Sequence, residues 1–188
     1  MTNSLSLIYP YVVPESWVAY AGTDSLLSWQ VSSDVHVVLV FDGQGTVRNV
    51  RPHDLPDLGV DESGAFDAAA RNLAHAWESE EFSLGSATLL DGIQIGCARG
   101  NWMAPAAGLM LGNFHAALSQ RFGVAEFVAV AVNQECLFAF PPDEQTLASK
   151  SLRTAIGDEF TGHRKPVSRQ WLLLNGQWPV QYPGAQLF

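Results

Sequence analysis

Three short stretches of this chain place an aspartate or asparagine directly before a glycine, between runs rich in β-branched and other apolar residues. Asp42-Gly43-Gln44-Gly45 divides DVHVVLVFDGQGTVRNVR, Asp91-Gly92 divides SATLLDGIQIGCA, and Asn175-Gly176 divides RQWLLLNGQWPV. These residue types tolerate the positive φ angles that tight hairpin turns require, so each stretch predicts two antiparallel strands. A fourth reversal is expected near Asn133-Gln134 in EFVAVAVNQECLFAF, whose apolar residues crowd both sides of the turn. Strands apolar on both faces are central and covered. The chain is thereby committed to antiparallel sheet, ending in a C-terminal hairpin over 167–181.

Three helices fit between the hairpins. The first is predicted from an Asp61 cap to about Glu78, with Phe66, Ala69, Ala70, Leu73 and Trp77 on one stripe. The second starts near Pro105, which suits a first helical turn, and runs to Phe122 before Gly123. Ala107, Leu111, Phe114, Leu118 and Phe122 form its apolar face. Gly108, Gly112, Ala116 and Ser119 form a second, small-residue stripe that lets another backbone approach. The third helix follows Pro141-Pro142, with Asp143 as cap and Ala148, Leu152, Ala155 and Ile156 inward, and ends near Gly157. Hairpins with helices inserted between them specify an α+β fold, a mainly antiparallel sheet with about three helices packed on it, in a single domain over residues 1–188.

Hydrophobic residues make up 47% of the 188 residues and charged residues 15%, a globular and apolar-leaning balance. The formal charge of −9 argues against a nucleic-acid partner. The charge is lopsided. Residues 1–94 hold 13 acids and 3 bases, a net of −10, whereas residues 95–188 hold 6 acids and 7 bases, a net of +1. A surface of that kind reads as a solubilising acidic face or, more sharply, as one that attracts a basic partner protein. The N-terminal MTNSLSLIYPYVVPES has no basic segment and carries prolines where a signal helix needs its apolar centre, so a cytoplasmic protein is expected. Residues 100–120 are free of formal charge, but Asn101, Pro105, Asn113, His115, Ser119 and Gln120 exclude a membrane span.

Candidate chemistry is sparse. Gly43 and Gly45 begin a dinucleotide fingerprint but are followed by a strand instead of the required helix. His53, Asp54, Asp57, Asp61 and Glu62 concentrate possible metal donors, yet they fall on a Pro- and Gly-marked connection without calcium-loop spacing, and no metal is assigned. No cofactor motif and no catalytic residue emerge. Cys97 and Cys136 lie in apolar runs and read as core residues. Cys97 shares a strand face with Arg99, which would depress its thiol pKa if both met solvent. His115 reads as a partly buried histidine with its hydrogen bonds satisfied. Arg99, Asn101 and Trp102 are the candidate ligand-binding residues, because they precede a helix whose positive end would hold an anion.

Val35 to Asp42, Asp54-Leu55 and Ala69-Ala70-Arg71-Asn72-Leu73, followed by ALSQRFGVAEFVAVAVNQECLFAF, resemble the YtpQ-like bacterial family, domain of unknown function 1444. The resemblance covers roughly residues 30–160 and implies an intracellular bacterial α+β domain, with no established activity to carry over. Where that family has a Pro-x-Arg-Asp-like step, this chain has Val132-Asn133-Gln134-Glu135.

Two functions are therefore expected. The first is a non-catalytic binding or accessory protein, toxin-neutralising or self-associating, with a basic protein or a second copy as partner. The second is a small-molecule-binding, hydrolase-like enzyme with an anion site at the helix beginning near Pro105.

Overall fold

The computed structural model describes residues 4–22, 25–43, 45–100 and 104–184. Two antiparallel sheets carry the architecture. The first contains β1 (Ile8–Pro14), β2 (Ser28–Gln30), β3 (Val35–Gly43) and β4 (Thr46–Asn49). β3 is central, paired with β1 on one side and with β2 and then β4 on the other. The second sheet contains β5 (Phe82–Thr88), β6 (Gln94–Gly100), β7 (Phe127–Asn133), β8 (Cys136–Phe140), β9 (Leu172–Leu174) and β10 (Val180–Gln181), in the order β10-β9-β7-β8-β6-β5.

All four hairpins form where the turn chemistry places them. Gly43 faces Thr46 across the first turn and Thr88 faces Gln94 across the second, with Gly45 at φ 77° and Gly92 at φ 82°. β7 and β8 close at Asn133 and Cys136 with a register shift after Ala131, and every residue of both strands is buried. The last hairpin is narrower than the 167–181 span: only β9 and β10 pair, while Val167 and Ser168 extend the β7 ladder through Val132 and Ala131.

Six α-helices occur among the described residues, where about three were expected: α1 (Glu15–Ala21), α2 (Leu55–Leu58), α3 (Glu62–Glu78), α4 (Gly112–Phe122), α5 (Glu144–Ala148) and α6 (Lys150–Gly162). α3 begins as predicted, its Asp61 carboxylate accepting the Gly64 amide at 2.8 Å. Its buried face is Ala65, Ala68, Ala69, Leu73 and Ala76, rotated from the expected stripe so that Ala70 is exposed. A face of small alanines brings the helix backbone close to β1 and β3.

The third expected helix is two helices. Asp143 caps α5, and Ser149 then takes an extended backbone (φ −60°, ψ 122°) and caps α6 by accepting the Leu152 amide. The Ser149 hydroxyl also donates to Asp91 at 2.5 Å, so the break is held by the β5–β6 turn. α6 continues past Gly157 to Gly162, and Ala148 is exposed.

The second expected helix does not start near Pro105. Pro105–Met110 is a 3-10 turn, Leu111 is extended, and α4 begins only at Gly112. Tertiary packing overrides helical spacing here. The turn is buried from Pro105 to Leu109, the Ala106 amide bonds to the Gln134 carbonyl, and Gly108 lies against Phe82 and Ala98. The small-residue stripe is also broken, since Gly112 and Ala116 face outward. Close approach occurs elsewhere: a Cβ on Gly96 of β6 would sit 2.6 Å from Leu118 Cδ2 of α4. No helix is long and apolar enough to cross a membrane among the described residues.

Strand alternation divides the core. Val128, Val130, Val132, Phe138 and Phe140 pack with Leu152 and Ile156 of α6 and with Trp171. Phe127, Ala129, Ala131, Leu137 and Ala139 face the opposite way, toward Phe114 and Leu118 of α4, the buried turn, and Val12, Val35 and Val37 of the first sheet. The other face of the first sheet, with Tyr11, Val13, Val38 and Val40, covers Val18 of α1. β1 bears prolines at 10 and 14, four residues apart, and it is an edge strand, where the missing amides disturb no ladder.

Candidate functional site

Arg99 lies near the end of β6 and is exposed. The pairing of Ala98 with Leu137 brings it beside Cys136 of β8, and its guanidinium donates to the Cys136 sulfur. Glu159 of α6 lies within electrostatic reach of Arg99 and both thiols, held by the Asn133 amide at 3.3 Å. The expected depression of the Cys97 thiol does not occur. Burial pushes it up, and Arg99 opposes that only in part. Burial, with help from the Glu159 carboxylate, pushes the Cys136 thiol up to about 12. Both sulfurs are protonated core groups at neutral pH.

Asn101 and Trp102 lie outside the described residues. The helix end that was to complete their anion site is displaced, since the positive end of α4 is at Gly112 and the segment after Pro105 is buried. His115 is half-buried, with Nε2 2.9 Å from the Ala125 carbonyl and its ring edge-on to Phe127. It lines a cleft of about 190 Å³ with Met110, Gly176, Gln177 and Trp178. Trp178 in turn stacks on Trp29 of β2 at 5.1 Å, tying the two sheets together at the surface. The carboxylates from Asp54 to Glu62 are dispersed: Asp54 binds Arg48 and Asp61 caps α3. No three His, Cys, Asp or Glu side chains are grouped to hold a metal ion among the described residues.

A different part of the surface brings recognition residues together. α1 is seven residues long, starts after Pro14, and turns only Val18 fully into the core. Trp17 and Tyr20, three apart on the helix, stand on its outer side with 40% and 96% of their surfaces exposed. Between α1 and the end of β4 lies a groove of about 650 Å³ lined by Trp17, Tyr20, Leu26, Asn49 and Arg51, with Ser16 and Ser25 at its sides.

Its walls are tethered. Glu15 at the start of α1 forms an ion-pair contact with the buried His36 of β3, and its amide bonds to the Asp34 carbonyl at 2.9 Å. Ser25 closes the other end of α1 by donating to the Gly22 carbonyl at 2.7 Å. On the far wall, Asp54 accepts two bonds from Arg48, at 3.1 and 3.3 Å, and one from the Arg51 backbone amide at 2.8 Å. Burial works against ionising Asp54, but these donors outweigh it and hold the carboxyl below its ordinary value. Arg48 also lies 4.1 Å from the centre of the Phe41 ring. Asp54 thus fixes the Arg51 main chain while its partner Arg48 leaves the Arg51 guanidinium out of the pair. Arg51 makes no ion pair among the described residues, in a half of the chain with 13 acids and 3 bases.

The groove was not anticipated from the sequence. The available signal was PESWVAYAG, a short segment with two aromatics at helical spacing and a single core-facing valine. Comparison with known proteins returns no matching family model, curated protein or solved structure.

Proposed function

We propose that this chain is a non-catalytic binding protein that engages a partner protein through the groove between α1 and the end of β4. The observation that carries this reading is the meeting of Trp17, Tyr20 and Arg51 on one open surface. These are the residue types that dominate binding energy at protein interfaces. A small-molecule pocket encloses most of its ligand, so it has little use for a Tyr20 that stands almost wholly in solvent. A partner surface covers such a residue. The acidic balance of residues 1–94 supports long-range attraction of a basic partner, while Arg51 sets the local contact and calls for a carboxylate. The YtpQ-like resemblance, with its implied bacterial and intracellular setting, is compatible with an accessory role of this kind.

The enzyme reading has weaker support. Its anion site needs a helix end near Pro105, but that helix begins only at Gly112, and burial pushes both thiols up and away from the reactive thiolate. The test is a Trp17→Ala/Tyr20→Ala double variant used as bait beside the wild-type chain. Far-UV circular dichroism should match, and partners retained by the wild type should be lost from the variant. Equal retention by both baits would sink the groove as the recognition surface.

A further inference from the structure

We infer that the groove's occupant is a segment of a partner protein that sets a carboxylate beside an apolar or aromatic side chain. This rests on the groove being the recognition surface and goes further by naming what fills it. The argument begins with charge. Arg48, two residues from Arg51, is engaged by Asp54 and packed on Phe41, so its charge is spent within the fold. Arg51 lines the groove, and among the described residues no carboxylate lines it with Arg51. Its main chain is held by Asp54, so the guanidinium is presented from a fixed anchor and loses less freedom when it binds. An arginine fork matches a carboxylate in geometry as well as charge.

The second element is apolar. Pro14, Trp17, Ala21 and Leu26 line the groove alongside Arg51. A bare anion would leave that wall wet, and a purely apolar segment would cover the guanidinium without a partner, which costs free energy. Only a segment with both groups side by side satisfies both walls. Asn49 and Ser16 add groups able to bond a peptide main chain. One alternative occupant is a second copy. Leu90 is fully exposed at the β5–β6 turn, next to Asp91, and has the same pairing of groups.

The test uses the full chain, labelled with nitrogen-15, and two blocked pentapeptides, acetyl-Gly-Leu-Asp-Tyr-Gly-amide and its Asn counterpart. Titrations run to about 5 mM peptide at roughly physiological salt. The expected result is displacement of the Trp17 indole and Arg51 resonances, with the Asp peptide binding about tenfold more tightly than the Asn peptide. Arg51→Gln should abolish the difference while the rest of the spectrum stays in place, and Arg51→Lys should restore part of it. Equal binding of both peptides at Trp17 overturns the carboxylate while leaving the groove as a recognition surface. No displacement at Trp17 with either peptide overturns the inference entirely. Concentration-dependent association of the free chain that Leu90→Ser abolishes would make the occupant a second copy, which also overturns it.

Discussion

Gly100 closes the β5–β6 ladder opposite Phe82, and replacing it with alanine is the most informative single change outside the groove. A Cβ there would sit 2.3 Å from the Glu81 carbonyl oxygen, 2.5 Å from Phe82 Cα and 2.8 Å from Phe82 Cβ. Carbon contacts are optimal at about 3.5 Å or more, so the shortfall is roughly 1 Å, and it is against backbone that no rotamer change can move. β5 and β6 must separate at this end. That forfeits ladder bonds worth about 1 kcal/mol each and loosens Phe82, which is fully buried and packs edge-on against Trp77. Overpacking of this kind adds about 1–3 kcal/mol. The sum is about 3 kcal/mol or more, which lowers Tm by roughly 6–12 °C in a chain of this size. Thermal unfolding followed by circular dichroism measures it. A fall of less than about 2 °C would show that the strands part here without cost, and the reasoning from backbone contact would fail.

The same substitution has the opposite sign at Gly157, inside α6, where an added Cβ meets nothing within 4 Å; Gly157→Ala should stabilise by about 0.5–1 kcal/mol in urea denaturation. The raised thiol pKa values predict that iodoacetamide near neutral pH modifies Cys97 and Cys136 about tenfold or more slowly than free cysteine, with full reaction in denaturant. Mass spectrometry of intact protein reads both states. Asp54 titrates below its ordinary value, so its contribution is complete above about pH 5 and is lost as pH falls through the folded-state value. Wild type and Asp54→Asn should accordingly differ by about 1–3 kcal/mol near neutrality and converge in acid, as followed by urea unfolding at several pH values.

The parts of this fold that could be read in advance are those whose cause is local. Gly92 and Gly45 turn the chain through backbone freedom at positive φ, and Asp61 caps α3 from three residues away. The parts that could not be read depend on distant neighbours. Pro105 to Phe122 has helical spacing throughout, but Phe82, Ala98 and Gln134 hold its first part in a tighter turn. Ser149 breaks the third helix by capping its second half at the Leu152 amide, and Asp91, 58 residues away, accepts its hydroxyl and holds that break in place. The candidate site follows the same division. The sequence singles out Arg99 for a helix end near Pro105 that is not there, and its electrostatic neighbours are Cys97 of its own strand and Cys136 and Glu159 of other elements. Trp17 and Arg51 are 34 residues apart in sequence, and nothing local shows that Asp54 takes one arginine of a pair and leaves the other.

The prolines of β1 have a consequence for how the molecule behaves in a crowded solution. An open sheet edge is a template on which other chains can add strands. Along the free side of β1, Pro10 and Pro14 offer no amide, and the Asn72 side chain already occupies the Ile8 carbonyl at 2.8 Å. The first sheet is therefore closed to growth on that side. The edges left open are β2 and β4 on the other side of that sheet and β5 and β10 of the second sheet, and replacing the two prolines would add β1 to them.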